Sequence, residues 1–201
     1  EPIKIGFIAG FTGSDPDTAN ELKKGKDYYL KTHPDFTKKF AVVEMDNQGD
    51  AAKTYEVLKE SYDKGIRLYV GIASSNQAIV AAKFSDDHEI VFVTPLASST
   101  KVTENHRRMF RTCFSDDQQG QALAKFAINK LKLNKIIVFT NRDNIYSIGL
   151  SNEFLKEANS ISKTKIEQIF YSQSSFVADE IVSQVDLKNI QAIFIPDYVT
   201  T

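Results

Sequence analysis

Two short loops rich in hydroxyls carry the strongest candidates for chemistry in this chain: Gly71-Ile72-Ala73-Ser74-Ser75-Asn76-Gln77 and Thr94-Pro95-Leu96-Ala97-Ser98-Ser99-Thr100. Each follows a short apolar run that reads as a strand, so both fall at strand carboxyl ends, where open α/β sheets bind ligands. Ser75 stands where a helix should begin, and the unpaired N–H groups and dipole of a helix start favour a carboxylate or another anion. Hydroxyls from the two loops have the chemistry to converge on one such group. Serines in these places equally suit helix caps, and spacing alone leaves both readings open.

Other chemistries find less support. The loop Ala9-Gly10-Phe11-Thr12-Gly13-Ser14 follows the first strand but matches neither the dinucleotide fingerprint nor the P-loop. His33, His88 and His106 are isolated in sequence, with no second ligand at helical or hairpin spacing, so they read as solvated surface residues and no metal site is expected. Cys113 is the single cysteine, which excludes an intrachain disulfide and a thiolate cluster, and it reads as a small core residue. No nucleophile elbow is present. Asp46-Asn47-Gln48-Gly49-Asp50 lacks the twelve-residue ligand set of a calcium loop, and Asp50 reads instead as a helix cap. The formal charge is -1 and the short clusters Lys23-Lys24 and His106-Arg107-Arg108 have no aromatic stacking platform, so nucleic acid is not an expected partner. No catalytic residue and no cofactor are expected.

The elements that must position the two loops follow from hydrophobic periodicity. Strand-like runs at Ile3 to Ala9, Phe40 to Met45, Leu68 to Gly71 and Ile90 to Val93 alternate with helical stretches at Thr18 to Lys31, Ala51 to Lys64 and Gln77 to Phe84. Met109 to Phe114 reads as one more extended piece. The rhythm then restarts, with helix from Gly120 to Leu131, strand from Lys135 to Phe139, helix from Ile145 to Ser160, strand from Lys165 to Phe170, helix from Phe176 to Val185 and strand from Ala192 to Ile195. Apolar strands joined by helices imply parallel sheets covered on both faces. The expected architecture is therefore α/β, with two doubly wound parallel-sheet lobes, 1–115 and 116–201, the second incomplete at about three strands. No apolar run reaches the roughly 18 residues of a membrane span. The first residues open directly on a strand, without a signal-peptide pattern, as in a mature chain after signal removal.

In their order and spacing, several motifs together resemble the type I periplasmic binding proteins, in particular the leucine/isoleucine/valine-binding branch that serves amino-acid ABC importers. The carriers are the opening Ile3-Lys4-Ile5-Gly6-Phe7-Ile8-Ala9-Gly10 with Gly13, the pair Asp46 and Asp50 before an alanine-containing helix, Gly71 to Ser75, and Thr94 to Ser98. Arg111-Thr112, Asp116-Asp117-Gln118-Gln119-Gly120, Tyr146-Ser147 with Gly149-Leu150, and Ile195-Pro196-Asp197-Tyr198 complete the set. The resemblance covers nearly the whole chain.

What it implies is a non-enzymatic, extracytoplasmic receptor whose two lobes close on an amino acid or similar small zwitterion and deliver it to the membrane permease of an ABC importer. The location implied is periplasmic or extracellular, with attachment through a lipid anchor left open. Carried over residue by residue, Ser75 and Ser98 bind the ligand's α-carboxylate, the Leu96 carbonyl accepts from its α-ammonium, and Tyr146 and Tyr198 form the facing wall. Thr18 stands where the family often has an aromatic residue, which would widen or polarise the side-chain pocket. The acidic residue that usually completes the ammonium site is expected beyond the third strand of the second lobe. The same fold also serves as the ligand-sensing domain of membrane receptors and signalling proteins, which is the alternative reading. An α/β enzyme or nucleotide-binding protein is a third reading, without a supporting motif.

Overall fold

Along β1 (Ile3–Ala9) successive side chains point to opposite faces of a sheet, and the two faces collect different partners. Phe7 and Ala9 bury themselves with Ala19 of α1 (Pro16–Thr32) and with Leu22, while Ile8 turns to the other side, into a cluster with Leu58, Ala78, Phe84 and Phe92. A computed structural model describes residues 1–13, 16–162, 165–185 and 188–198, and these divide into two units, Glu1–Cys113 and a second that starts at Phe114. No described helix is long and apolar enough to cross a membrane.

The first unit continues through the short helix α2 (Pro34–Lys39), β2 (Phe40–Asp46), α3 (Ala51–Asp63), β3 (Leu68–Gly71), α4 (Ser75–Asp87), β4 (Val91–Thr94) and β5 (Met109–Arg111). All pairings are parallel and the strand order is β2-β1-β3-β4-β5. Helices α3 and α4 pack on one face and α1 on the other, so the sheet is doubly wound and its order reverses between β1 and β3. Tyr69 and Phe92 are register neighbours on β3 and β4, and their rings stack 5.9 Å apart in the middle of the larger core. Burying a phenylalanine such as Phe84 or Phe92 stabilises the fold by about 1.5 to 3 kcal/mol.

The second unit repeats this topology without repeating its sequence. After α5 (Asp116–Lys125), which runs on through a π-helical turn at Phe126–Lys130, come β6 (Lys135–Asn141), α6 (Ile145–Ile161), β7 (Lys165–Tyr171), α7 (Ala178–Ser183) and β8 (Ala192–Phe194). The three strands are parallel in the order β7-β6-β8, the counterpart of β2-β1-β3. Ile136 and Val138 face Phe154 and Ala158 of α6, and Ile137 faces Ile169 and Ile181 on the opposite side. Helices α5 and α6 approach so closely that a Cβ on Gly120 would lie 2.8 Å from the Phe154 nitrogen. Only glycine fits there.

Several boundaries differ from the expected ones for local reasons. Helix α5 starts at Asp116 and not at Gly120, because Ser115 donates its N–H to the Gln118 side chain and the two acidic residues of the first turn favour the positive helix end. Helix α2 carries too few residues for a periodic signal, though Pro34 occupies a favoured first-turn position. Cys113 is half-buried and not a core residue. Two of the three histidines are half-buried: the His88 ring stacks on Phe84 at 3.8 Å, and His106 Nδ1 lies 2.7 Å from the Asp86 carboxylate, while the exposed His33 stacks on Tyr29 at 4.1 Å.

Candidate functional site

In a parallel sheet the carboxyl ends of all strands share one edge, so the loops after β1, β2, β3 and β4 are neighbours in space. Gly71 ends β3 with φ at 125°, and a Cβ there would lie 2.1 Å from the Ile8 carbonyl oxygen, which makes glycine obligatory. The chain then turns at Ile72, whose N–H still donates to the Ile8 carbonyl at 2.7 Å. Thr94, fully buried at the end of β4, joins the two hydroxyl-rich loops. Its Oγ1 donates to the Ile72 carbonyl at 2.6 Å and accepts from the Ala97 N–H at 3.2 Å.

Within this frame the expected residues take distinct roles. Ser75 is the first residue of α4 and completely buried, and its Oγ accepts from the Ser99 N–H at 3.2 Å. Ser98 retains 8% of its exposure, and among the described residues no hydrogen bond involves its hydroxyl. Neither is the N-cap of a helix: those positions fall to Ser74 for α4 and to Ser99 for the 3-10 turn at Thr100–Val102. The Leu96 side chain is largely exposed, and no described backbone N–H donates to its carbonyl. Thr18 lies half-buried in the first turn of α1, which follows β1 on the same edge.

The loops after β1 and β2 are stitched together as well. The Asp46 carboxylate accepts from the Thr12 hydroxyl at 2.6 Å, the Thr12 N–H at 3.3 Å and the Gln48 N–H at 2.9 Å. Partial burial pushes this carboxyl up, but those hydrogen bonds outweigh it and hold the group below its ordinary value. The buried Asn47 donates to Thr54 and to Gln77, and Gln77 in turn donates to the Gly49 carbonyl at 2.5 Å, tying α4 to the β2 loop. Asp50 caps α3 by accepting from the Lys53 N–H at 2.7 Å.

In the second unit the corresponding edge carries an aromatic pair. Tyr146, in the first turn of α6, and Tyr198, after β8, stack with ring centroids 5.1 Å apart and planes 16° from parallel. Next to Tyr198 in sequence, Asp197 gathers donors from the ends of three strands. Asn141 and Asn144 donate to it at 2.8 and 3.0 Å, the Tyr198 N–H at 2.8 Å, and the Tyr171 hydroxyl by a short bond. Asn144 also caps α6, accepting from the Tyr146 N–H at 3.0 Å. Burial, reinforced by the Asp197 carboxylate, pushes the Tyr171 phenol far above its usual range, so it stays a donor. Burial likewise raises the Tyr146 phenol, helped by the Asp116 carboxylate.

Thr94, Asp197, Asn141, Asn144 and Tyr171 escaped the reading of the sequence as positioning groups. Thr94 and Asp197 stood inside the quoted motifs, and the polar run Asn141 to Asn144 directly after a strand was the available signal for the two asparagines; Tyr171, at the end of another strand, carried none.

Comparison with known proteins places this geometry in a family. A family model described as periplasmic binding protein matches residues 2–196. Among curated relatives, the Leu/Ile/Val-binding protein BraC3 of Rhizobium johnstonii is 27% identical over 169 residues, covering 82% of this chain and 46% of that protein. An amino acid binding protein of Pseudomonas aeruginosa is 33% identical over 110 residues, covering 54% of this chain and 28% of its own length. Of solved structures, the leucine binding protein LivK of Thermotoga maritima superposes with a TM-score of 0.88 at 23% identity, over 96% of this chain and 55% of that one. The branched-chain amino acid binding protein LivJ of Streptococcus pneumoniae, in complex with isoleucine, gives 0.86 at 20%, over 98% and 57%. The chain spans about half the length of the relatives it matches. These relatives are named as binding proteins and not as enzymes, and with a match over nearly all of its length the chain belongs to the type I periplasmic binding protein family.

Proposed function

We propose that the protein is an extracytoplasmic receptor for an amino acid or similar small zwitterion, which it hands to the permease of an ABC importer. Residues 1–115 and 116–201 are the two lobes of this receptor. Ser98 donates to the ligand's α-carboxylate and the Leu96 carbonyl accepts from its ammonium. Ser75 holds the carboxylate loop at its base, and Tyr146 and Tyr198 supply apolar area with a polar rim. Thr18 borders the space for the ligand's side chain. A zwitterion requires this combination, because its charges leave water only where neutral donors and acceptors replace the lost hydration.

The observation that carries the reading is a pair on one loop without a hydrogen-bond partner among the described residues: a nearly buried Ser98 hydroxyl and the Leu96 carbonyl, two residues apart on a segment pinned by Thr94 and Ser75. The named ligand classes of the relatives, leucine, isoleucine and valine, support a neutral amino acid. Isothermal calorimetry of the protein against the twenty amino acids tests the proposal. One-to-one binding of at least one neutral amino acid is the expected result, and binding of none of them would overturn it.

A further inference from the structure

Arg111 ends β5 directly beside Thr94 in the β4 register, and Thr112 donates its N–H to the Thr94 carbonyl at 3.1 Å, so the position of Arg111 at the sheet edge is set by strand pairing. From there its half-buried guanidinium reaches across to the loop that carries Ser98. Nη1 donates to the carbonyls of Ser98 and Ser99 at 2.7 and 2.8 Å. Nη2 approaches the Thr100 carbonyl at 3.4 Å and makes a short bond to the Thr103 hydroxyl. Three consecutive carbonyls thus converge on one cation.

That convergence has two chemical consequences. The carbonyls of Ser98 and Ser99 are committed to the Arg111 cation, and the peptide between Ser98 and Ser99 is fixed so that the Ser99 N–H meets Ser75 Oγ. Among the described residues no carboxylate pairs with Arg111, so its positive charge is met by dipoles only and remains a local bias in favour of an anionic group. A planar fork suits this, since the guanidinium presents its donors in fixed directions along the row of carbonyls, whereas the three donors of an ammonium rotate about one compact centre.

We propose that Arg111 is a positioning residue for the ligand's carboxylate: it orients the Ser98–Thr100 segment and biases it electrostatically without touching the ligand. The inference rests on the amino-acid reading given above. Two variants, Arg111→Ala and Arg111→Lys, are compared with Ser98→Ala and the double variant Arg111→Ala/Ser98→Ala by calorimetry. L-leucine and L-isoleucine are the probes. Hydrogen–deuterium exchange is read in parallel over residues 98–103.

Arg111→Ala is expected to lower affinity on the order of tenfold or more, with Arg111→Lys between it and the parent. Adding Ser98→Ala to Arg111→Ala should cost less than Ser98→Ala does alone, because part of the effect of Arg111 is to orient that same hydroxyl. Amides 98–103 should exchange faster in both arginine variants. Fully additive losses, or unchanged affinity in both arginine variants, would overturn the proposal. If Arg111→Ala fails to fold, the same comparison is made with Arg111→Lys. Where the parent binds neither these probes nor any other of the twenty amino acids, the ligand reading fails by itself, and the exchange measurement still decides whether Arg111 orders the loop: unchanged rates at 98–103 would remove that role.

Discussion

Ser75 Oγ accepts a hydrogen bond from the Ser99 N–H at 3.2 Å, joining the loop after β3 to the loop after β4. In sequence Ser75 and Ser98 look equivalent, each a serine just past a strand. The bond makes them unequal. Ser75 is a buried acceptor that a backbone donor depends on, whereas Ser98 offers its hydroxyl at the edge.

Replacing the two serines should therefore give different phenotypes. Ser98→Ala is expected to reduce amino-acid affinity on the order of tenfold to a hundredfold, with thermal unfolding close to that of the parent. Ser75→Ala leaves the buried Ser99 N–H without its acceptor and should cost about 1 to 3 kcal/mol of stability as well. Calorimetry and urea denaturation of both variants separate the cases. Equal loss of stability in both would contradict the assignment.

Gly71→Ala is expected to destabilise the first unit by roughly 2 to 4 kcal/mol, since the added Cβ meets the Ile8 carbonyl oxygen at 2.1 Å in a backbone conformation that L residues avoid. Denaturant unfolding followed by far-ultraviolet circular dichroism is the measurement. A loss below about 1 kcal/mol would show that the strand end relaxes freely.

Acid should act on the strap between the loops after β1 and β2. The folded Asp46 carboxyl lies below the ordinary aspartate value of 3.8, so its contribution to stability is present above that value and disappears as the pH falls through the lower folded one. Asp46→Asn should accordingly be less stable than the parent at neutral pH and show a shallower loss of stability on the acid side. Urea midpoints measured across the acid range test this, and parallel curves for the two proteins would refute it.

Alkali should act on Tyr171. Its phenol is raised above the ordinary 10.0 by burial and by Asp197, so the stability it contributes is complete below that value and is lost as the pH rises through the folded one. Tyr171→Phe should lower stability at neutral pH, flatten the alkaline loss and remove the latest-ionising phenol from a tyrosinate absorbance titration. Titration curves that differ only by an ordinary tyrosine would argue against the buried pair.

Much of this architecture was legible in the order of residues. Apolar runs such as Ile3 to Ala9 and Leu68 to Gly71 read as strands and fold as strands, and the stretch Ala51–Asp63 folds as a helix, although the face it buries, Thr54, Leu58 and Ser61, is carried by one apolar residue and two hydroxyls. The Asp50 cap is likewise local, a contact with Lys53 three residues on. Since parallel strands end on one edge, the nearness of the loops at Gly71 and Thr94 also followed from the strand pattern.

The tertiary structure decided the partners within those loops. Nothing in the sequence distinguishes Ser75 as the acceptor for Ser99, 24 residues away, or directs the Arg111 guanidinium to the carbonyls of Ser98 and Ser99, 13 and 12 residues back. Asp197 draws Asn141, Asn144 and Tyr171 from 56, 53 and 26 residues away, and only the adjacent pairings of β6 with β7 and β8 bring them together. Hydrophobic periodicity averages over many residues and tolerates small errors in placement. A hydrogen bond fails beyond a few tenths of an ångström or a modest turn of its donor, so its partner is settled only when sheet register and helix packing have fixed both ends.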